Sequence, residues 1–181
     1  MNNLDSDLPT PVILTELEKG VIEEIKEHGG ENIDRCIQCG KCAGSCPVAL
    51  AGFLWFNKRF IHALTLGIKE EILDIPSPWA CVSCNKCTEI CPRDVKPFEV
   101  VFALRRVLVE ELAMPTLTME GLRTLYEYGH AVYQTTYPET RKKVGLPEKP
   151  PTTLAYPEAL EELRALLRET KLGEIGLIPM E

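Results

Sequence analysis

The 181 residues hold only three histidines, His28, His62 and His130, and no cysteine outside two short runs. No unbroken apolar stretch reaches the roughly 18 residues that a membrane-crossing helix needs. There is no G-x-G-x-x-G turn, no Walker A loop and no nucleophile elbow, so any flavin or nucleotide the function requires sits on another polypeptide. Each histidine stands alone in a predicted helix, where a helix-end or packed role is far commoner than catalysis. No segment alternates apolar and polar residues between hairpin signals, which leaves a mainly α chain.

Positive charge is also in short supply. Lys and Arg number 20 against 27 Asp and Glu, a formal net charge of -7. A general nucleic-acid binder must neutralise phosphates with a basic face, so that class is disfavoured. The start, Met1 to Asp5, is polar and acidic and does not read as a signal peptide. A hydrophobic content of 45% is ordinary for a globular chain, and the length suits one domain or a compact core with extensions.

What the chain does contain is one pattern written twice. Cys36, Cys39, Cys42 and Cys46 precede Pro47, and Cys81, Cys84, Cys87 and Cys91 precede Pro92. Both follow C-x2-C-x2-C-x3-C-P, and both carry a Lys (Lys41, Lys86) before the third cysteine. That spacing is the ligand run of a cubane [4Fe-4S] cluster: three thiolates wrap one corner, and the fourth serves the other cluster in two-cluster proteins. A disulfide framework suits short secreted chains, and zinc would use separated pairs. A redox C-x-x-C would occur once, near a βαβ pattern. A four-thiolate cubane has no open iron, so it passes single electrons and transforms nothing itself. With both clusters loaded the net charge becomes roughly -11, and such centres imply a reducing, cytoplasmic compartment. Lys41 and Lys86 read as solvated loop residues, screened by water.

Along the chain, residues 1–14 read as a tail held out of helix by Pro9 and Pro11. Thr15-Glu16-Leu17-Glu18 is a capping box that predicts a helix from Glu16 to about His28, with Leu17, Val21, Ile22 and Ile25 inward and Gly29-Gly30 as its stop. Val48, Leu50, Phe53, Leu54, Trp55 and Phe56 are candidates for an apolar wall around a cluster. A helix over about Lys58–Leu66 buries Phe60, Ile61 and Leu64 and ends at Gly67, with an extra turn near Lys69–Leu73. Pro97 opens a helix to about Met114 whose apolar face includes Val100, Val101, Leu104, Val107, Leu108 and Leu112. Thr118 caps another to about Gly129, with Leu122, Leu125 and Tyr126 inward. From Gln134 to Pro157 the prolines predict an extended arm, in which Arg141-Lys142-Lys143 is a solvated basic patch. A last helix runs from Pro157 to about Glu169, with Leu160, Leu163 and Leu167 on one face.

The two runs start 45 residues apart with helix between them. This resembles the α-helical ferredoxins, in which crossing helices deliver each fourth cysteine to the opposite cluster. The resemblance implies one cluster on Cys36, Cys39, Cys42 and Cys91, and another on Cys81, Cys84, Cys87 and Cys46. With the trailing helices and the segment Arg141-Lys142-Lys143-Val144-Gly145-Leu146-Pro147, the chain is similar to the C subunit of the soluble heterodisulfide reductases of methanogenic archaea. Succinate dehydrogenase and glycolate oxidase iron-sulfur proteins share the runs. The first adds a [2Fe-2S] domain ahead of them, and the second adds cysteine-rich CCG domains after them. No cysteine follows Cys91 here.

The resemblance implies an electron-transfer component without a catalytic site. It relays single electrons from the FAD-containing and iron-sulfur A subunit to the B subunit, whose CCG domains hold noncubane clusters and reduce the CoM-S-S-CoB disulfide. A hydrogenase or formate dehydrogenase module belongs to the larger complex. The expected division is a tail and helix over 1–30, an α-helical ferredoxin domain over 31–133, and a partner-binding extension over 134–181. An iron-sulfur component of a quinone-linked dehydrogenase and a free-standing ferredoxin are the competing readings.

Overall fold

The computed structural model describes residues 18, 20–52, 57–73, 76–131, 138–148 and 153–179. Its regular elements are all helices, with no strand among those residues. The chain divides into two compact units, Met1–Ala113 and Met114–Glu181. The first of these includes the N-terminal helix.

In the first unit the core forms where three amphipathic helices meet. Helix α1, Val21–Glu27, buries Val21 and Ile25. It starts later than the capping box predicts. The Glu18 amide is instead committed to the Gly67 carbonyl at 2.9 Å, and Gly20 (φ 90°) turns the chain into the helix. Thr15, Glu16 and Leu17 lie outside the described residues. The stop is as expected: Gly29 has φ 103°, and the Gly30 amide returns to the Ile25 carbonyl at 2.8 Å, closing a Schellman motif. A Cβ on Gly30 would stand 2.5 Å from Ile25 Cγ2 and 3.5 Å from an Ala103 methyl. The glycine thus lets this corner close down on the third helix.

Two short helices, α2 (Lys41–Gly44) and α3 (Pro47–Leu50), follow the first cysteine loop. Helix α4, Lys58–Thr65, buries Phe60, Ile61, Ala63 and Leu64 and stops at Gly67 (φ 77°). A one-turn α5, Glu70–Leu73, and a 3-10 turn, Ser77–Ala80, lead to the second loop and to α6, Lys86–Glu89. Helix α7, Pro97–Glu110, takes Pro97 at its first position and is the central member. Val100, Val101, Ala103, Leu104, Val107 and Leu108 on it are all completely buried. At about 1.5–3 kcal/mol for each large apolar side chain, this face is the main stabilising surface of the unit. It stops short of Met114: Leu112 takes φ 57° and is 60% exposed, contrary to its expected inward role. The Ala113 amide then bonds the Leu108 carbonyl at 2.8 Å.

Three polar side chains tie these helices together. Lys69, only 7% exposed, reaches Glu24 and Glu111 at 3.1 Å and Glu18 at 3.3 Å. Burial alone would pull its pKa down, but the hydrogen bonds it donates to Glu111 and Glu24 outweigh this and hold the ammonium charged. Arg105 on α7 donates to the carbonyls of Pro78 (2.9 Å), Trp79 (3.0 Å) and Cys81 (3.2 Å). Its guanidinium also lies over the Phe102 and Trp79 rings, at 4.8 and 5.5 Å. His28, at the C-terminus of α1, pairs Nε2 with Glu110 at 3.3 Å while Nδ1 lies 2.8 Å from the Glu24 carbonyl. Burial lowers its pKa, but the Glu24 carbonyl and the Glu110 carboxylate more than reverse this and raise it. Its role is the helix-end one expected. His62 is exposed on α4, and His130 falls outside any helix, contrary to expectation.

In the second unit α8, Thr116–Tyr128, starts directly after Pro115, two residues ahead of the expected Thr118 cap. Leu122, Leu125 and Tyr126 are half-buried, and only Thr124 is fully buried. The helix ends at Gly129 (φ 67°), where a Cβ would collide with Thr153 Oγ1. Pro138–Lys143 forms α9, which corrects in part the expected extended arm. Arg141, Lys142 and Lys143 fill its last turn, where cations complement the helix dipole. Helix α10, Pro157–Arg168, runs as expected and buries Leu160. Arg164 donates to the Tyr126 and Glu127 carbonyls at 3.0 and 3.1 Å, satisfying the open end of α8. A short α11, Lys171–Glu174, packs on α10. Among the described residues no helix is long and apolar enough to cross a membrane.

Two measurements check this packing. Arg105→Ala should lower the urea midpoint of the anaerobically prepared chain by an amount equivalent to about 2–3 kcal/mol, with little recovery in Arg105→Lys, which keeps the charge but loses the fork. Because the His28 pKa is raised on folding, its contribution is complete below about pH 6.5 and is lost as pH rises through the folded value. His28→Gln should therefore cost about 0.5 kcal/mol near pH 6 and almost nothing near pH 8.5.

Candidate metal centres

Three thiols within a span of seven residues cannot face one point from a helix or a strand, so the backbone must curl. Both loops do so in the same way. Gln38 and Ser83 each have φ 56°, and two residues later Gly40 (φ 79°) and Asn85 (φ 58°) are also left-handed. Among the described residues the amides of 37–40 and 82–85 make no backbone hydrogen bond. Left-handed turns of this kind form a concave nest of N–H groups suited to anions and to iron-sulfur centres. Gly40 and Asn85 then cap α2 and α6, which carry the third cysteines and pack on each other.

The fourth cysteines leave their loops differently. Cys46 is extended (φ -81°, ψ 121°) and Pro47 opens α3, as the sequence implies. After Cys91, Pro92 and Arg93 form only a turn, and left-handed Asp94 and Lys96 lead into α7. The Cys-Pro pair therefore starts a helix once, not twice.

Two cavities result. The first, of about 360 Å³ including its open mouth, is lined by Cys36, Cys39, Cys42 and Cys91, with Ile61, Val95 and Pro97 as apolar walls. The second, of about 290 Å³ on the same measure, is lined by Cys81, Cys84, Cys87 and Cys46, with Val48 and Phe98. Burial first, then the neighbouring Cys36, Cys39 and Cys91, push the Cys42 thiol up to about 11 against an opposing hydrogen bond from the Ala43 amide. Burial does the same to Cys87, also to about 11, with Cys81, Cys42 and Cys46 as its charged neighbours. The two sets therefore adjoin where Cys42 meets Cys87. Cys39 and Cys84, at the loop tips, are exposed, as are their neighbours Ile37 and Val82.

The donor set suits a thiolate-bound cubane. Each cavity is lined by four cysteines in the spacing of a cubane ligand run, whereas zinc draws its ligands to about 2.3 Å. Among the described residues no group of three or more His, Cys, Asp or Glu side chains is gathered tightly enough for a single ion. The buried side-chain polar atoms left without a partner among those residues, Gln38 Oε1 and Thr88 Oγ1, both lie within the cysteine runs.

Several residues around the loops escape sequence reasoning. Gln38 Nε2 and the Val95 amide donate to Cys36 Sγ and Cys91 Sγ, each at 3.4 Å. Buried Asn57 donates to the Cys42 carbonyl at 3.3 Å and also lines the second cavity. Lys58 and Arg93 join Lys41 at the first cavity, and among the described lysines and arginines Lys86 alone lines the second. Of the expected apolar wall, Val48 is buried, Leu50 is 73% exposed and so no part of it, and Phe53, Leu54, Trp55 and Phe56 lie outside the described residues.

Comparison with known proteins agrees with this chemistry. Residues 32–95 match the family described as a 4Fe-4S dicluster domain. A protein of Archaeoglobus profundus, described as like the C subunit of heterodisulfide reductase, is 62% identical over 167 residues, which cover 92% of this chain and 88% of the relative. The C subunit of the H(2):CoB-CoM heterodisulfide,ferredoxin reductase of Methanothermobacter thermautotrophicus is 35% identical over 160 residues, 88% of this chain and 86% of its own length. An iron-sulfur C subunit of the CoB--CoM heterodisulfide reductase of Methanocaldococcus jannaschii is 33% identical over 171 residues, 90% of this chain and 91% of its own. With its eight cysteines in two cluster-binding loops, the chain belongs to the family of heterodisulfide reductase C subunits, the iron-sulfur electron-transfer components of an oxidoreductase complex.

Proposed function

We propose that this chain relays single electrons, through two adjacent [4Fe-4S] centres, from a flavin and iron-sulfur partner (the A subunit) to a disulfide-reducing partner (the B subunit). One centre is held by Cys36, Cys39, Cys42 and Cys91, the other by Cys81, Cys84, Cys87 and Cys46. The observation that supports this reading is the lining of the cavities: each is lined by three cysteines of one run and the fourth of the other. When bound, the clusters supply one-electron chemistry, and four thiolates apiece leave no iron open to substrate. This chain's own residues hold the sulfurs, exclude water with Ile61, Val48 and Phe98, and keep the two sets side by side through the α2–α6 contact.

The acceptor is the CoB-CoM heterodisulfide, as named for relatives at 33–35% identity. Hydrogen or formate as the ultimate donor is in keeping with the names of the Methanothermobacter and Methanococcus maripaludis relatives. The compartment is the reducing cytoplasm, where unpaired thiols persist. The region beyond 134 docks these partners.

Iron and acid-labile sulfide analysis of anaerobically prepared chain should return about eight of each per chain. Zinc, or a value near four, would remove the two-cluster reading. Cys91→Ser should damage the centre that Cys36, Cys39 and Cys42 share, and an EPR change confined to the Cys81 group would refute the exchange. Native anaerobic purification should recover flavoprotein and CCG-domain partners with this chain; recovery with a membrane quinone reductase would favour a different complex.

A further inference from the structure

The two centres have unequal surroundings, although their ligand runs are near copies. Among the described residues two donors reach a cysteine sulfur, Gln38 Nε2 on Cys36 and the Val95 amide on Cys91, and both serve the first set. Among the described residues no donor reaches the sulfur of Cys46, Cys81, Cys84 or Cys87. Three cations, Lys41, Lys58 and Arg93, line the first cavity, and Lys58 is half-buried, where water screens it less. Among the described lysines and arginines, Lys86, exposed like Lys41 and Arg93, is the one that lines the second. Cys46 and Cys87 of the second set are only 6% and 8% exposed, whereas no member of the first set is that deeply buried.

These differences act in one direction. Adding an electron to a four-thiolate centre makes an anion more negative. Hydrogen bonds to its sulfurs and nearby cations favour that form, and burial opposes it. Arg105 works against the trend, since it lies close enough to Cys81 to feel its charge. Its three donated bonds, however, end on the carbonyls of Pro78, Trp79 and Cys81 and none on a sulfur. We propose that Gln38, Lys58 and the Val95 amide are tuning residues that set the Cys36, Cys39, Cys42 and Cys91 centre at the higher potential of the pair. A single electron entering the chain then rests on that centre, and the Cys81 side is the transit point. The inference rests on the two-centre reading above.

The test is an EPR-monitored potentiometric titration of the full chain, loaded anaerobically with iron and sulfide, alongside iron counts. The wild type should show two one-electron steps. Gln38→Met and Lys58→Met should each shift the higher step to lower potential and leave the lower one in place. Lys86→Met should leave the higher step unmoved. If both centres are present and Gln38→Met and Lys58→Met move the lower step, or neither step, the assignment is overturned. If the wild type holds no pair of centres, the relay reading itself fails first, and the iron count distinguishes the two cases. Should one variant load poorly, the other carries the same comparison.

Discussion

A chain that must point three sulfurs at one centre from seven residues has to leave the ordinary regions of backbone space. Here it does so twice per loop, and three of the four left-handed positions, Gln38, Ser83 and Asn85, are not glycine. Each such residue costs on the order of 1 kcal/mol, most for Gln and Ser, and persists only where its surroundings over-determine it. The surroundings are α7 with α1 and α4. Six fully buried residues on α7 fix the floor beneath the cysteines, and Arg105 fastens the approach to the second loop from that same helix. The short helices α2 and α6 contribute little burial. Their task is to hold the third cysteines of the two loops next to each other.

Much of this is legible in the sequence, and the reasons differ by element. The cysteine runs are covalent chemistry written at fixed spacing, so tertiary structure adds only the cavities around them. Helix α7 is visible because Pro97 marks its start and its apolar face is unbroken for three turns. Gly29 and Gly67 read as stops because each closes its helix through local hydrogen bonds alone. The departures have tertiary causes. The capping box at Thr15 is locally sound, but the Glu18 amide is taken by Gly67, distant in sequence. Leu112 continues the apolar pattern yet sits where the chain turns left-handed, so it faces water.

The polar ties are the least visible. Lys69, Arg105 and Asn57 look like surface residues in a sequence, since nothing local distinguishes a lysine that will meet three glutamates from one that will not. Their partners are 42 or more positions away for Lys69's hydrogen bonds and 15 for Asn57. The prolines between 134 and 157 mislead in the other direction. Pro138 suits the first turn of a helix, and Glu139 with Arg141–Lys143 orders the charges along it, so α9 forms where a count of breakers alone predicts none.

Cys39 and Cys84 sit at the loop tips, each in a run with an exposed apolar residue, Ile37 or Val82. An oxidant arriving from solvent meets these two sulfurs before any of the other six, so damage should begin at one corner of each cage. Charge leaving through an exposed ligand would leave by the same corners. In this molecule the doorway and the weak point are one place, and a neighbour pressed against it would shield what it draws from.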